Sequence, residues 1–462
     1  MSDEVDLHYD IVAKVPLEIT EMILQYLPIC QVFRAQRVSR RWREILASPR
    51  MVTNLLRSWY PDSDTPSNVP DELSAKTAIS LNAEHVDAYK SGRAFSLKVS
   101  AFRDFTDGLN CDIIAYADGL VAWTDAADCC ICRSLDLKSG NTLSFITEDR
   151  SPIRHLALSS SMIAAMSTSG KCYLWTFQEQ KSMSLRMPSA RVKKVMLSKN
   201  SLVVAFYPRL TEDGALVEII TWTLNSQRTY SFSLSLNGND LNSLETKLLL
   251  DEKGESVILL ERSLDGCIEY IRFTRANLTG VIRAQGVAEA PLSNSHEDIT
   301  RTTILAQSNQ FATLWAFLGE FGNDEGSLEF VRVRYDFDRD RLDFDTRLIK
   351  GFGRSDPMSD FFFFKDVAYY RQYCGQSLLL RVVDFDQSIC SEAPMSTLIS
   401  YRDSWLQDRL ITFYKIADHC ESLLFGDENF LLNVFHGGIM VWNFDKNVTM
   451  VAENRLYRIA RG

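Results

Sequence analysis

The sequence has no uninterrupted apolar stretch that approaches the roughly 20 residues needed for a membrane-spanning helix. Its first ten residues, MSDEVDLHYD, are acidic and lack the apolar segment of a secretion signal. It also lacks a basic excess: 50 Lys/Arg stand against 60 Asp/Glu, a net charge of −10, which argues against a general nucleic-acid binder. We therefore expect an intracellular protein, cytosolic or nuclear, that binds neither a membrane nor nucleic acid.

Motifs of common enzyme classes are missing as well. The chain has no Gly-Lys-Ser/Thr phosphate loop, no nucleophile elbow and no His-Glu-x-x-His, and it contains only six histidines. Residues 263–266 (Ser-Leu-Asp-Gly) lack the spacing and the tryptophan of a sialidase Asp box, so a hairpin turn explains them better. The sequence predicts no catalytic residues and no cofactor.

Two clusters resemble metal sites only superficially. Cys129, Cys130 and Cys132 have no second Cys/His pair at zinc-finger spacing, so core or loop thiols are favoured. The acidic run from Asp336 to Asp345 is interrupted by arginines and lacks the glycine of a calcium loop. We interpret it as a strand pair with charged outer faces, and we predict no metal.

The N-terminal segment contains more apolar surface than a small unit can bury. Helical periodicity runs from Leu17 to Leu27, where Pro28 ends it, and a second helix is predicted from about Phe33 to Leu46. Successive residues of a helix are rotated by about 100°. In the first helix one apolar face therefore contains Ile19, Met22, Ile23 and Leu27. Leu17 and Leu24 form a further apolar edge, roughly 100° around the helix from that face. A unit this small and apolar is expected to complete its core on a partner.

This segment resembles an F-box. The resemblance rests on Val15-Pro16-Leu17-Glu18-Ile19, Ile23-Leu24, Leu27-Pro28 and Val38-Ser39-Arg40-Arg41-Trp42, with Val15 in place of the usual leading Leu. It covers about a tenth of the chain. It implies binding to a Skp-type adaptor and, through it, to a cullin–RING ligase. The residues it places in or beside the adaptor interface are Pro16, Ile19, Leu24, Leu27, Val38 and Trp42.

Within that set we assign Pro16, Leu24 and Trp42 to partner contact, and we assign Ile23 and Ile45 to the helical core. Aromatic and apolar anchors concentrate interface energy, which favours the first assignment. The segment from Arg34 to Arg43 contains five arginines and no acid. We interpret it as a solvated face that helps to meet an acidic adaptor.

The remaining chain divides into a connecting region and a long β region. Residues 61–70 (PDSDTPSNVP) predict a linker, and residues 71–90 predict a helix with Leu73, Ala78, Leu81 and Val86 as its contacts. The expected domains are an F-box over 1–60, a linker and connecting helix over 61–92, and a β domain over 93–462.

The β region repeats a unit of apolar strands and polar turns. Its third strand ends near Leu137, Phe177, Leu224, Phe273, Phe337, Phe385 and Phe444. The spacings of 40 to 64 residues are typical of four-stranded propeller blades. The predicted fold is therefore multidomain, α plus all-β: a helical F-box, a helical linker and a β-propeller of seven blades, with six or eight left open. A strand near 94–101 should close the ring with the last blade, since an open propeller leaves exposed edges.

The repeat is similar to the WD-repeat type, although imperfectly. Trp175 and Trp442 stand at the tryptophan position of that family, but Asp does not follow them and the Gly-His pair is missing. The family's Asp–His network is therefore not expected here. F-box and propeller together imply a substrate-recognition subunit of an SCF-type (Skp–cullin–F-box) ubiquitin ligase whose protein target is unknown. A non-degradative interaction scaffold and an unrecognised propeller enzyme are the alternatives.

Overall fold

The computed structural model divides into two compact units, Met1–Tyr89 and Lys90–Gly462. Each unit is described by itself. The described residues are 15–25, 32, 35–46, 48, 50–52, 54–55, 84–92, 94–101, 112–125, 127–177, 182–198, 201–207, 209–211, 214–223, 228–236, 247–251, 256–262, 268–274, 303–307, 311–321, 327–336, 339, 341–350, 358–364, 367–374, 377–385, 389–392, 423–427, 429–435 and 438–448.

The first unit contains helix α1 (Leu17–Gln25) and helix α2 (Arg40–Leu46). Further helical residues lie at 32, 35, 50–52, 54–55 and 84–89, and residues 90–91 of the second unit are helical as well. Pro16 precedes α1, and its carbonyl accepts the N–H groups of Ile19 and Thr20 at 3.1 and 3.0 Å. The end predicted at Leu27 and Pro28, and the contacts predicted at Leu73, Ala78 and Leu81, lie outside the described residues.

Helix α2 starts later than predicted. Residues 36–38 form a turn in which the Val38 N–H donates to the Ala35 carbonyl at 3.1 Å. Ser39 follows as the N-cap, because its Oγ accepts the backbone N–H of Trp42 at 3.2 Å. Residues 32 and 35 are helical and Phe33 itself lies outside the described residues, so the single helix predicted from about Phe33 to Leu46 is interrupted by this turn and by the Ser39 cap.

Replacement of this cap is expected to have a modest, local effect. Ser39→Ala should lower the free energy of unfolding of the first unit by about 1 kcal/mol, because the Trp42 N–H loses its acceptor. Urea unfolding followed by far-ultraviolet circular dichroism measures this loss. Ser39→Asp, which retains a capping oxygen, should leave the free energy nearly unchanged; equal losses in both variants would contradict the capping role.

Within the described part of the chain, the second unit consists of antiparallel strands in six hydrogen-bonded sheets. The first strand, β1 (Ser96–Ala101), belongs to the same sheet as the last three, which we call sheet 6. Sheet 1 contains β2 (Ile114–Ala117), β3 (Leu120–Thr124), β4 (Ile131–Asp136) and β5 (Thr142–Ile146). Sheet 2 contains β6 (Ile153–Leu158), β7 (Met162–Ser167), β8 (Lys171–Thr176) and β9 (Ser182–Arg186). Sheet 3 contains β10 (Val192–Leu197), β11 (Ser201–Phe206), β12 (Arg209–Thr211), β13 (Gly214–Thr223) and β14 (Arg228–Leu236).

Sheet 4 contains β15 (Lys247–Asp251), β16 (Ser256–Arg262) and β17 (Ile268–Thr274). Sheet 5 begins with β18 (Thr303–Gln307), β19 (Phe311–Phe321), β20 (Ser327–Asp336) and β21 (Arg341–Lys350). It continues with β22 (Met358–Phe364), β23 (Val367–Cys374), β24 (Ser377–Asp384) and β25 (Ile389–Glu392). A single parallel pairing of Lys350 with Ile389 joins these two halves. Sheet 6 is completed by β26 (Leu423–Gly426), β27 (Phe430–Phe435) and β28 (Gly438–Asn443).

The sheets follow one another around a ring. First strands of neighbouring sheets, or of the two halves of sheet 5, are in contact: β2 with β6, β6 with β10, β18 with β22, β22 with β26, and β26 with β2. Strand β1 pairs antiparallel with β28 from Ser96 opposite Asn443 to Ala101 opposite Gly438. The expected β-propeller and its closure by an N-terminal strand are therefore confirmed. Counting the halves of sheet 5 separately, the described residues form seven meanders, and the number of blades stays a prediction.

Both faces of the inner strands are buried, as a ring of packed sheets requires. In sheet 2, Ala164, Met166 and Leu174 pack toward sheet 3. The alternate residues Ile163 and Tyr173 pack toward sheet 1. Strand β7 is buried along its whole length, whereas the outermost strand β9 alternates between exposed and partly buried residues. Because successive side chains point to opposite faces of a strand, each inner strand packs against both neighbouring sheets.

Candidate protein-interaction surface

The first unit has a small apolar core of its own. Five of its side chains are buried, namely Leu24, Val32, Leu46, Met51 and Leu55, with exposures of at most 2 %. Ala35, Trp42 and Ile45 pack partly against this cluster. Polar contacts support it: the Asn54 amide donates to the Glu21 carboxylate, and Ser48 Oγ accepts the Met51 N–H at 3.4 Å. The core assignment of Ile45 is confirmed.

Helix α1 turns an apolar face outward. Ile19, Met22 and Ile23 are exposed by 45 %, 54 % and 50 %. Their i, i+3, i+4 spacing places them side by side on one face of the helix. The inward side includes Thr20, whose hydroxyl donates to the Pro16 carbonyl at 3.3 Å, and Leu24. Adjacent exposed Ile, Met and Ile side chains are unusual on a surface helix.

Val38 adds a further exposed apolar side chain. It is 67 % exposed in the turn before α2. We call Ile19, Met22, Ile23 and Val38 the apolar surface of the first unit; it is defined by these exposures alone. Pro16, also expected at the interface, is exposed, and Trp42 is partly buried. Leu27 lies outside the described residues.

The expectations for Leu24 and Ile23 need correction. Leu24, assigned to partner contact, is 2 % exposed in the helical core, whereas Ile23, assigned to that core, is half exposed. The apolar arc of α1 is wide enough that periodicity alone does not decide which part faces inward. Met22 was not among the predicted interface residues, although its place on the same face as Ile19 was a usable signal.

The exposed side of α2 is basic. Arg37, Arg40, Arg41 and Arg43 are exposed, and Arg40 forms a 3.3 Å ion pair with Glu44. An exposed i, i+4 pair of this kind contributes only about 0.3–0.5 kcal/mol. The helix therefore offers a positive surface close in sequence to exposed Val38, which suits a partner of negative charge.

Three of the four cysteines whose side chains are described in the second unit are buried packing residues. Cys132 and Cys172 are fully buried, and burial raises the pKa of both thiols, that of Cys172 to about 12. Cys130 is buried and donates to the Arg150 carbonyl at 2.7 Å, while Cys129 is exposed. Protonated, enclosed thiols are poor metal ligands. Among the described residues no group of three His, Cys, Asp or Glu side chains could hold a metal ion.

The acidic run after Tyr335 occupies a strand pair, as predicted. Strands β20 and β21 pair antiparallel across it. Asp336 is buried and accepts the Arg339 N–H at 3.0 Å, and Asp343 forms a 2.7 Å ion pair with Arg341. The turn predicted at 263–266 lies outside the described residues. In the same unit, Phe362 on β22 is 5 % exposed.

The two WD-type tryptophans are core residues. Trp175 is 4 % exposed and stacks with Phe145 and Tyr173, with ring centroids 5.3 and 5.9 Å apart. Trp442 is 2 % exposed, and within the described part of the chain its Nε1 has no hydrogen-bond acceptor. The tryptophans therefore contribute packing between sheets.

No helix among the described residues has the length and apolarity to cross a membrane. Residues 13–53 match the family model of the F-box domain. The chain thus carries an F-box domain followed by a β-propeller, and this combination indicates an adaptor-binding, protein-interaction role.

Solved structures with a similar fold have little sequence in common with the chain. The computationally designed Ika8 protein is 12 % identical, with a TM-score of 0.39, over 74 % of this chain and all of its own. A chain of the Mitotic Checkpoint Complex is 8 % identical, with a TM-score of 0.42, over 76 % of this chain and 95 % of its own. The β-propeller domain of the Trilobed protease from Pyrococcus furiosus is 9 % identical, with a TM-score of 0.42, over 75 % and 96 %. No protein with a curated description matches the chain significantly.

Proposed function

We propose that this protein is the substrate-recognition subunit of an SCF-type ubiquitin ligase. The observation that carries the proposal is the apolar surface of the first unit, exposed within residues that match the F-box family. F-box domains bind Skp-type adaptors, which join a cullin–RING ligase. The β-propeller then holds a protein target near the ubiquitin-conjugating enzyme.

Such a subunit needs no catalytic side chain. Tethering a target raises its effective concentration at the conjugating enzyme, and the rate gain comes from proximity. Protein interaction is therefore the activity of this chain, and conjugation belongs to the assembled ligase. The basic exposed side of α2 supports the same proposal because it complements an acidic adaptor.

The test is adaptor binding by the full chain. The wild-type chain, co-expressed with a tagged Skp-type adaptor, should co-purify with it. Ile19→Asp and Ile23→Asp should each weaken binding by about 2 kcal/mol, roughly 30-fold, because a charge then faces an apolar partner surface. Glu18→Gln, on an exposed polar position of the same helix, is the matched control and should bind normally.

Failure to recover the adaptor with the wild-type chain would refute the proposal, as would normal binding by both Asp variants. Melting temperatures check that the variants fold. A second arm addresses ligase function: the half-life of a captured target should lengthen when the chain is deleted. An unchanged half-life together with normal adaptor binding would favour a non-degradative scaffold.

A further inference from the structure

Charge is distributed unevenly around the propeller. From Arg150 to Arg209 the sequence contains ten Lys/Arg and a single acid, Glu179. The rest of residues 61–462 contains 32 Lys/Arg against 52 Asp/Glu. One sector of an acidic ring is therefore strongly basic, and it corresponds to sheet 2 and the first half of sheet 3.

Most of these cations meet at one end of the two sheets. Lys171 pairs in register with Arg186, beside the turn that joins β7 to β8. At the same end the Met187 N–H donates to the Gly170 carbonyl at 2.9 Å, and the Tyr207 N–H donates to the Arg191 carbonyl at 3.1 Å. The first bond joins the end of β9 to the start of β8 in sheet 2, and the second joins the end of β11 to the start of β10 in sheet 3.

The first strands of both sheets contribute as well. Strand β6 begins opposite the end of β7 and has a register shift between Ile153 and His155 that includes Arg154. Strand β10 has a corresponding shift between Val192 and Lys194. A bulge of this kind re-aims the side chain at the shift. Arg154, which lies within the first shift, is exposed, and so is Lys194, which follows the second shift; both lie at the same end as Arg186 and Arg191.

Most of the acids that the structure describes at this end already have partners. Asp149 accepts Lys171 Nζ at 3.2 Å and Ser169 Oγ at 3.0 Å. Asp128 lies 3.7 Å from Arg150, and Glu218 lies 3.0 Å from Arg209. Asp112 lies 3.7 Å from His155, and its pKa is lowered, first by the hydrogen bond from His155. Glu148 is a further exposed acid near this end.

Three arginines at this end are exposed to solvent. Among the described residues, no carboxylate lies within ion-pair distance of Arg154, Arg186 or Arg191, and we call these three the arginine patch. Arg154 and Arg186 lie on the first and fourth strands of one sheet, roughly 14 Å apart at strand spacing, about the length of four extended residues. Tyr207, which is 49 % exposed, follows β11 beside Arg191.

We propose that the arginine patch binds an extended acidic segment, rich in Asp and Glu, of the protein target. Guanidinium groups pair with carboxylates in bidentate geometry, and an exposed tyrosine adds an apolar anchor. A nucleic acid fits less well because its continuous phosphates meet the neighbouring carboxylates and a net charge of −10. The inference rests on the proposed function, since it names the class of target that this subunit holds.

The experiment uses the full chain with its co-expressed adaptor. The probe is a fluorescein-labelled twelve-residue peptide of alternating Asp and Ser, followed by fluorescence anisotropy. Its Asn/Ser counterpart and a twelve-nucleotide single-stranded oligouridylate serve as comparison probes. The wild-type chain should bind the Asp/Ser peptide, and the affinity should fall steeply with salt.

The triple variant Arg154→Glu, Arg186→Glu, Arg191→Glu should weaken peptide binding at least tenfold. A matched control, Lys138→Glu, Arg339→Glu, Arg341→Glu, changes net charge equally at exposed positions elsewhere on the propeller and should bind within twofold of wild type. Three results would each overturn the inference: no peptide binding, equal losses in both triple variants, or tighter binding of the oligouridylate.

Co-purification of the adaptor and binding of the peptide are measured separately, so the proposed function and the acidic-target inference can fail independently. If the adaptor co-purifies but the peptide does not bind, only the acidic-target inference fails. If the peptide binds but the adaptor is not recovered, the ligase assignment fails while the arginine patch remains a peptide site. Equal melting temperatures of the two triple variants show that differences in affinity are not differences in folding.

Discussion

Trp123→Ala is expected to lower the free energy of unfolding of the propeller by about 3–5 kcal/mol, the usual cost of deleting a fully buried indole. Trp123 is 2 % exposed on β3 and lies in the cluster that joins the first and last sheets of the ring. Its neighbours there include Ile114 and Val121 of sheet 1 and Phe430 and Leu432 of sheet 6. Urea unfolding followed by tryptophan fluorescence of the remaining indoles measures the loss.

Two control variants separate the effect of the buried cavity from the general effect of shortening a side chain. Trp123→Phe retains a ring in the same site and should cost clearly less than the Ala variant, because a smaller cavity remains. Ile146→Ala, on the outermost strand β5 of the same sheet, removes a side chain that is 44 % exposed and should change stability by no more than about 0.5 kcal/mol. A loss below about 1 kcal/mol for Trp123→Ala would mean that the contact between the first and last sheets is not a stable part of the fold.

The same packing explains why the repeat was predictable from sequence. Each strand end identified in the sequence lies at or directly after the third strand of a meander, at β4, β8, β13, β17, β20, β24 and β28. Leu137, Phe385 and Phe444 at these positions are at most 7 % exposed. A residue that must fill the space between two sheets recurs with every meander, so the period is visible without any three-dimensional information.

Orientation within the first unit was less predictable. The wide apolar arc of α1 permitted either Ile23 or Leu24 to face inward, and only the packing with Leu46 and Met51 decides for Leu24. The adaptor-facing roles of Pro16, Val38 and Trp42 stay predictions. Interface and core use the same residue types, so composition does not separate them.

The arginine patch was not predictable from sequence because it depends on pairing. Arg154 and Arg186 are separated by 32 positions in the sequence. They lie at the same end of one sheet because β6 to β9 form a single meander. The net basic charge of this segment is visible in the sequence. The direction of each strand, however, decides at which end of the sheet a residue lies, and the sequence does not show it. Antiparallel register places Lys171 and Arg186 together at one end of sheet 2.

A buried polar link also joins the first and last sheets. The Tyr116 hydroxyl on β2 donates to Asp427 Oδ2, after β26, at 2.5 Å, and accepts the Gly119 N–H at 3.2 Å. Asp427 Oδ1 accepts the N–H groups of Asn429 and Phe430 at 2.7 and 2.9 Å. Burial raises the pKa of Asp427, and the hydrogen bonds from Tyr116, Phe430 and Asn429 oppose this rise.

Asp427→Ala is expected to cost about 2–4 kcal/mol of unfolding free energy, because three donors lose their acceptor at once. Tyr116→Phe should cost less, about 1–2 kcal/mol, since the two backbone donors keep theirs. The double variant should cost less than the sum of the two single losses, since both remove the same contact. Strict additivity in this double-mutant cycle would show that the two side chains do not interact.

The raised pKa of Asp427 gives the link a pH dependence of definite sign. A carboxyl whose pKa is higher in the folded than in the unfolded chain holds its proton more tightly when folded. The stability it contributes is complete below the unfolded value of about 3.9 and is lost as pH rises through the folded value. Asp427→Asn cannot ionise, so its unfolding free energy should decline less than that of the wild type as pH rises from about 4 toward neutrality. Urea unfolding at stepped pH compares the two profiles, and parallel profiles would mean that Asp427 titrates as it does in water.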